Sequence, residues 1–299
     1  MEKFFIIANC EKDEGLKISR KAEAYLKSKG KMCTIGAEKS CERDADNHYT
    51  DASAIPEGVE CVIVLGGDGT LLHAARDVVD RQIPLLGINL GTLGYLAEID
   101  HSNIESALNH LMLDEYVVSL KERGIHLVYD EYTIEKRMML SGRVFHQGEL
   151  MARDVALNDI VIGREGPLRV TRFHNFVNEE FLNSYTADGI IISTATGSTA
   201  YSLSAGGPII QPNAQMMMIT PICPHTLNQR SIIFGAEDEI VIEMSDNKRL
   251  AEERIATFDG EISRKVITGD RIVVRRSEKV SQFIKTNKLS FLQRIRNKM

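Results

Sequence analysis

Val62-Ile63-Val64-Leu65-Gly66-Gly67-Asp68-Gly69-Thr70 decides how the rest of the chain is read. Its four leading apolar residues, mostly β-branched, predict a strand buried on both faces, the habit of a parallel sheet. A glycine turn follows, and Leu71-Leu72-His73-Ala74-Ala75-Arg76 continues at helical spacing. Glycines between strand and helix let backbone N–H groups approach phosphate oxygens, and the helix N-terminus adds a favourable field. The carboxylate among them, Asp68, is wrongly charged for simple anion capture. It suits a site where a hydroxyl must lose a proton, or a metal be held, during phosphoryl transfer. The plainer alternative is an ordinary strand–turn–helix connection in which Asp68 caps the helix and Thr70 begins it. No G-x-G-x-x-G can be laid over these residues and no Gly-Lys-Ser/Thr follows, so neither the Rossmann fingerprint nor a P-loop is present.

Working outward, residues 4–8 and 31–35 read as strands around a helix over 15–29, with Leu16, Ala22, Tyr25 and Leu26 on its inner face and Gly30 as its stop. Residues 36–53 are polar and of mixed charge, a surface loop or flap near the substrate. Residues 84–89 are another buried strand, and Ser102 caps a helix that runs to Met112. This alternation predicts an α/β N-terminal domain with a parallel sheet over residues 1–115. Beyond it the pattern becomes short strands at 125–129, 154–162, 168–170, 173–177, 190–193, 240–243 and 271–274, an all-β sandwich domain over 116–270. Residues 264–299 carry eleven Lys/Arg against two acids, which could bind nucleic acid. Leu289, Leu292, Ile295 and Met299 recur at helical spacing without an aromatic stacking platform, which favours a docked amphipathic helix.

The 299 residues suffice for about two domains. A hydrophobic fraction of 43% and a charged fraction of 26% are those of an ordinary soluble globular protein. The formal net charge of -6 gives no general attraction to nucleic acid or to anionic membranes. No apolar run approaches a bilayer span, and the N-terminus reads as a first strand rather than a signal peptide. The five cysteines (Cys10, Cys33, Cys41, Cys61, Cys223) show no C-x-x-C spacing, and their odd count argues against a disulfide framework and for a cytoplasmic home. Cys33, Cys41 and His48 are irregularly spaced for zinc and lack an evident fourth ligand.

The other dense stretch is Asp188-Gly189-Ile190-Ile191-Ile192-Ser193-Thr194-Ala195-Thr196-Gly197-Ser198-Thr199-Ala200-Tyr201-Ser202-Leu203-Ser204-Ala205-Gly206-Gly207-Pro208. A strand delivers small hydroxyl residues and glycines, then a helix from near Ser198. Such a surface offers hydroxyls and N–H groups to a polyhydroxylated ligand; a turn network among the hydroxyls is the structural alternative. In Ala156-Leu157-Asn158-Asp159-Ile160-Val161-Ile162 an amide and a carboxylate lie side by side within an apolar strand, where protein or ligand must pair them.

These motifs, together with Gly87-Ile88-Asn89-Leu90-Gly91-Thr92-Leu93-Gly94-Tyr95 and Thr220-Pro221-Ile222-Cys223-Pro224-His225-Thr226-Leu227, make the chain resemble bacterial NAD kinases over nearly its whole length. The glycine–aspartate turn alone is shared with diacylglycerol and sphingosine kinases and phosphofructokinases, whereas the run from Thr196 to Pro208 is specific. The resemblance implies that residues 271–299 pack back onto the first domain. It also implies transfer of the γ-phosphoryl group of ATP to the 2′-hydroxyl of the adenosine ribose of NAD, giving NADP and ADP. Under it, Asp68 matches the proton acceptor and Gly69 its neighbour in the NAD site. Asn158, Asp159, Asp188 and the run Thr199, Ala200, Tyr201, Ser202, Leu203 and Ser204 match dinucleotide contacts, and His73, Arg169 and Thr186 fall where some members line that site.

A divalent ion such as Mg²⁺, carried on ATP, is likewise implied, as are homo-oligomers (dimers or tetramers) whose neighbouring subunits complete the site. Ala195 in place of proline, Glu261 in place of a common glutamine, and Asn228-Gln229-Arg230-Ser231 depart from the family pattern. Two other readings compete: a lipid or other small-alcohol kinase, and a non-catalytic NAD/NADP sensor. Lipid kinases carry Gly-Thr-Gly-Asn-Asp where this chain has Gly91-Thr92-Leu93-Gly94-Tyr95, and no membrane-docking surface is conspicuous. A pure binding site gains nothing from Asp68 beside phosphates.

Overall fold

The computed structural model describes residues 1–36, 52–91, 94–97, 99–112, 132–164, 171–225, 230–244, 254–286 and 290–298. The chain divides into two compact units, Met1–Lys136 with Ser281–Met299, and Arg137–Val280.

In the first unit β1 (Lys3–Ala8), β2 (Met32–Ile35), β3 (Cys61–Gly66), β4 (Leu85–Asn89) and β5 (Ile99–Asp100) pair in parallel, in the order β2-β1-β3-β4 with β5 on β4. Every residue of β3 is buried, as its unbroken apolar run requires. Helices α1 (Lys17–Ser28), α2 (Asp68–Asp77) and α3 (Ile104–Leu111) connect the strands. α3 buries Ile104, Ala107, Leu108 and Leu111, one helical stripe, and α1 buries Ala22 and Leu26. Both stripes close on Phe4, Ile6, Ile63, Leu65, Leu86 and Ile88 in a single core.

Of the inner face expected of α1, Ala22, Tyr25 and Leu26 pack on this core and Leu16 falls outside the helix. Leu16 precedes the helix at φ 56°, and half-buried Tyr25 donates its hydroxyl to Asn109 Oδ1 at 2.7 Å. Ser102 does not cap α3. A short turn, His101–Asn103, precedes the helix, and Asp100 Oδ1 accepts the Ser102 N–H at 2.9 Å and its hydroxyl at 2.6 Å.

The second unit contains β7 (Glu149–Ala156), β8 (Asp159–Arg164), β9 (Thr171–Val177), β10 (Glu180–Ala187), β11 (Gly189–Thr194), β12 (Met216–Ile222), β13 (Ile232–Gly235), β14 (Ile240–Met244), β15 (Arg254–Phe258) and β16 (Ile262–Val266). Two long strands, β6 (Thr133–His146) and β17 (Arg271–Lys285), belong to both units and carry the chain out of the first and back into it. One antiparallel sheet runs β13-β12-β11-β8-β15-β16. In the other, β10, β9, β14 and the start of β17 pair antiparallel, and β6 pairs with β7. Alternate residues of both sheets meet in one core: Ile160, Ile162, Ile190, Ile192 and Phe258 from the first, Phe173, Ile240, Ile242, Ile272 and Val274 from the second. This is the expected sandwich.

The stretch 154–162 is two strands, not one, broken at Leu157-Asn158 between β7 and β8. The strands expected at 125–129 and 168–170 lie outside the described residues, as does most of the loop at 36–53, with Cys41 and His48 in it. The helix expected from Ser198 is a tight turn, Thr196–Thr199, and then a single helical turn, Tyr201–Ser204.

The returning segment adds to the first unit. Phe283 of β17 pairs in parallel with Leu85, and Ile284 joins the core around β3. The C-terminal helix Phe291–Lys298 exists; of the expected stripe, Leu292 is 74% exposed and Ile295 half-buried, and Leu289 and Met299 lie outside the described residues. Polar groups dock it: Arg294 Nη1 donates to Tyr95 O at 3.2 Å, and Lys298 Nζ lies 4.0 Å from the centre of the Tyr95 ring. Cys33, Cys61 and Cys223 carry free thiols and Cys10 is disulfide-bonded, a bridge the odd count did not suggest. Burial pushes the Cys33 thiol up to about 12 and Cys61 higher still. No helix among the described residues is long and apolar enough to cross a membrane.

Candidate functional site

β3 ends at Gly66 and α2 begins at Asp68, so Gly67 alone separates strand from helix. The turn is that tight because its glycines leave room for what crosses it. A Cβ on Gly66 would lie 2.4 Å from Thr70 Oγ1. Asn9, just after β1, donates its amide to Thr70 Oγ1 at 3.1 Å and accepts the N–H groups of Glu11 and Lys12. That loop brings the Lys12 ammonium over the turn, where a Cβ on Gly67 would lie 2.9 Å from Nζ.

Asp68 is the first helical residue and does not cap its own helix. Its carboxylate reaches the loop after β4. Oδ2 accepts the Tyr95 N–H at 2.6 Å, and Oδ1 accepts those of Leu96 at 3.1 Å and Ala97 at 2.9 Å. Such charge-assisted bonds fix the plane of a carboxylate. Gly94 makes the approach possible, since a Cβ there would fall 1.8 Å from Oδ1. Oδ2 takes one N–H and has a second lone pair left for a hydroxyl. Burial lowers the Arg294 pKa, opposed by the Asp68 charge. Gly69 is exposed beside Asp68, and His73 is buried one turn along α2.

In the second unit the break between β7 and β8 presents Asn158 and Asp159. Asp259, in the turn between β15 and β16, clamps that break. Its Oδ2 accepts the Leu157 N–H at 2.8 Å, its Oδ1 accepts those of Asn158 at 2.7 Å and Asp159 at 3.1 Å, and its own N–H donates to Asp159 O at 2.9 Å. From the other side, Thr194 donates its hydroxyl to Leu157 O at 2.6 Å and its N–H to Asn158 O at 2.9 Å. Gly197 packs against the same backbone, since a Cβ there would lie 2.1 Å from Asn158 O. Asp159 is only 4% exposed, and burial followed by the Asp259 charge pushes its carboxyl up to about 7. The half-buried Asn158 carboxamide has no hydrogen-bond partner among the described residues, which leaves it open to a ligand.

Several hydroxyls of the serine–threonine run bond inward. Ser198 Oγ donates to Ala195 O at 2.7 Å, Thr199 Oγ1 to Thr196 O at 3.2 Å, and Ser202 Oγ stands in a chain with Thr220 Oγ1 and Ser231 Oγ. Tyr201, Leu203 and Ser204 are exposed. Thr186 offers its carbonyl to the His225 N–H at 2.7 Å, and Asp188 lies 3.4 Å from the Arg164 guanidinium. Arg169 lies outside the described residues.

A family model described as the ATP-NAD kinase N-terminal domain matches residues 4–116, and one described as the ATP-NAD kinase C-terminal domain matches residues 157–286. An NAD kinase of Lachnospira eligens is 49% identical over 309 residues, with the whole of both chains covered. The chain belongs to the NAD kinase family. Its fold recurs in a crystal structure of yeast NADH kinase complexed with NADH, at a TM-score of 0.79 and 24% identity, over 99% of this chain and 86% of that one. It recurs again in an NAD kinase from Archaeoglobus fulgidus in complex with ATP, at 0.70 and 22%, over 99% and 96%. At such identities the likeness is one of fold.

The motifs in the sequence do not point to Asp259, to Lys12 with Asn9, or to Arg137. Arg137 is 2% exposed and donates from Nη1 to Thr196 Oγ1 at 3.3 Å. Asp259 sits in Phe258-Asp259-Gly260-Glu261, noticed only for its Glu261. An Asp-Gly pair between two apolar alternations is a hairpin signal that would have drawn attention to it. Glu261 itself is half-buried and donates its N–H to Phe258 O at 3.2 Å.

Proposed function

We propose that the chain is an NAD kinase, moving the γ-phosphoryl group of ATP to the 2′-hydroxyl of the adenosine ribose of NAD and releasing ADP and NADP. The observation that carries this reading is the Asp68 carboxylate, fixed by three backbone N–H groups in a strand–helix glycine turn. The full-length identity to an NAD kinase supplies the substrates.

A ribose hydroxyl is a poor nucleophile until a base takes its proton. Asp68 Oδ2 accepts that proton as the 2′-oxygen bonds to phosphorus and the β–γ bridging oxygen leaves with ADP. The N–H groups of Tyr95, Leu96 and Ala97 hold the carboxylate in one orientation. The Lys12 ammonium and the N–H groups at the start of α2 put positive charge where phosphate oxygens gather negative charge. The divalent ion, Mg²⁺, enters this reading carried on the ATP substrate.

For the dinucleotide, Asn158 and Asp159 supply hydrogen bonds at the strand break, with Asp188, Tyr201, Leu203 and Ser204. Thr199, Ala200 and Ser202 act through their backbone, since the Thr199 and Ser202 hydroxyls are already engaged. Gly69, His73, Arg169 and Thr186 belong to the same reading, as do a homo-oligomer and a cytoplasmic location.

The test is Asp68→Asn, which keeps shape and one acceptor oxygen. NAD-dependent ADP release should fall ~10²–10⁴-fold, while NAD binding by calorimetry stays within about tenfold, ~1.4 kcal/mol. Near-normal turnover would remove the base role, and a parallel loss of binding would make Asp68 a substrate anchor. ADP release by the unaltered protein without dependence on NAD would overturn the assignment of acceptor.

A further inference from the structure

Leu157 and Asn158 form the break between β7 and β8, and Asp159 opens β8, so the N–H groups of all three turn to a side chain rather than to a neighbouring strand. Leu157 is fully buried and Asp159 nearly so, which denies those groups water as a partner. All three point at one carboxylate, that of Asp259, which is 8% exposed and 100–102 residues away in sequence. The reciprocal bond from Asp259 N–H to Asp159 O makes the clamp two-way. Asp259 sits at φ 53° to do this, a conformation few residues other than Gly, Asn and Asp adopt.

We propose that Asp259 is a positioning residue for the Asn158–Asp159 pair, its carboxylate holding the three N–H groups whose placement aims both side chains at the dinucleotide. Asp259 touches no substrate; it acts through its neighbours. This rests on the reading of the site as an NAD site. The clamp explains why a polar pair stands at the head of the central strand β8: the chain leaves the ladder there, and one buried anion replaces the missing ladder partners. It also accounts for part of the high Asp159 pKa, because the charge acting on Asp159 among the described residues is that of Asp259.

The test is Asp259→Asn in the full-length protein. Whichever oxygen becomes the amide nitrogen, a donor then faces at least one of the N–H groups, while volume is kept. KM for NAD should rise about tenfold, as a loosened pair of hydrogen-bonding side chains implies, with kcat and KM for ATP within about threefold. The pH profile of KM for NAD should move to lower pH, because the charge beside Asp159 is gone. The ¹⁵N-correlated amide signals of Leu157, Asn158 and Asp159 should move upfield together. An unchanged KM for NAD and unchanged pH profile in a folded variant would overturn the proposal, as would an equal rise in KM for ATP. Should the variant not fold, Asp259→Glu keeps the charge on a longer arm, and an unchanged KM for NAD there overturns it equally. If the unaltered protein turns over no NAD while the amide shifts appear on substitution, the kinase reading fails and the clamp remains as geometry alone.

Discussion

Gly94→Ala adds a single methyl group, and the structure says where it must go. The new Cβ would lie 1.8 Å from Asp68 Oδ1, 2.1 Å from Cγ and 2.3 Å from Oδ2. Carbon and oxygen come to rest at about 3.5 Å, so the carboxylate has to retreat by roughly 1.5 Å. It cannot do so and keep the N–H bonds from Tyr95, Leu96 and Ala97, at 2.6, 3.1 and 2.9 Å. A misplacement of that size at a reacting group costs about 10²-fold in rate, ~2.7 kcal/mol of barrier. Losing one or two charge-assisted bonds costs ~2–4 kcal/mol of stability, less whatever water restores. The assay is kcat for NAD-dependent ADP release beside a urea unfolding curve. The same substitution made in an Asp68→Asn background should lower kcat no further than about threefold, because the group it displaces is already disabled. Wild-type kcat in Gly94→Ala, or an equal loss in both backgrounds, would refute the view that Gly94 serves the carboxylate.

Asp159 makes stability depend on pH. Its folded value of about 7 lies above the 3.8 of an unperturbed carboxyl, so the folded state holds the extra proton between those values. Stability should therefore fall as pH rises from about 4 to about 7, by at most ~4 kcal/mol, and level off above. Denaturant midpoints of the unaltered protein and Asp159→Asn across that range decide it, and a slope that survives the substitution assigns it elsewhere. Lys12→Met should raise KM for ATP about tenfold, ~1.4 kcal/mol, and leave NAD affinity alone; unchanged KM for ATP removes Lys12 from the phosphate site.

The α/β half was legible because parallel strands buried on both faces show as unbroken apolar runs, β3 above all. The β half was harder. β17 is 15 residues long, yet the exposed Arg275, Arg276 and Glu278 interrupt its apolar pattern, so only 271–274 reads as a strand in the sequence. In the structure Arg275 and Arg276 pair with Glu239 and Glu237. β12 was not recognised as a strand either. Its Pro221 sits beyond the stretch paired to β13, where a missing N–H costs nothing. Candidate site residues that are neighbours in sequence, such as Asn158 and Asp159, stand out as a polar pair between apolar residues. The partners that hold them do not. Asp68 meets its amides 27–29 residues away and Asp259 about a hundred away, and no local pattern encodes a closure of that length.

The first unit cannot finish itself from its own leading residues. Phe283 alongside Leu85, Ile284 in the core and Arg294 on Tyr95 all come from residues 281–299. On a ribosome, residues 1–136 would emerge long before those partners, with β4 short of a strand neighbour and the loop that steadies Asp68 short of its guanidinium. The usual order, in which a leading domain closes before the next is made, is denied to this chain. Its glycine–aspartate turn should become protease-resistant only after the sandwich has been synthesised and the chain has come back. A nascent chain halted at residue 280 would be expected to engage chaperones through the exposed flank of β4.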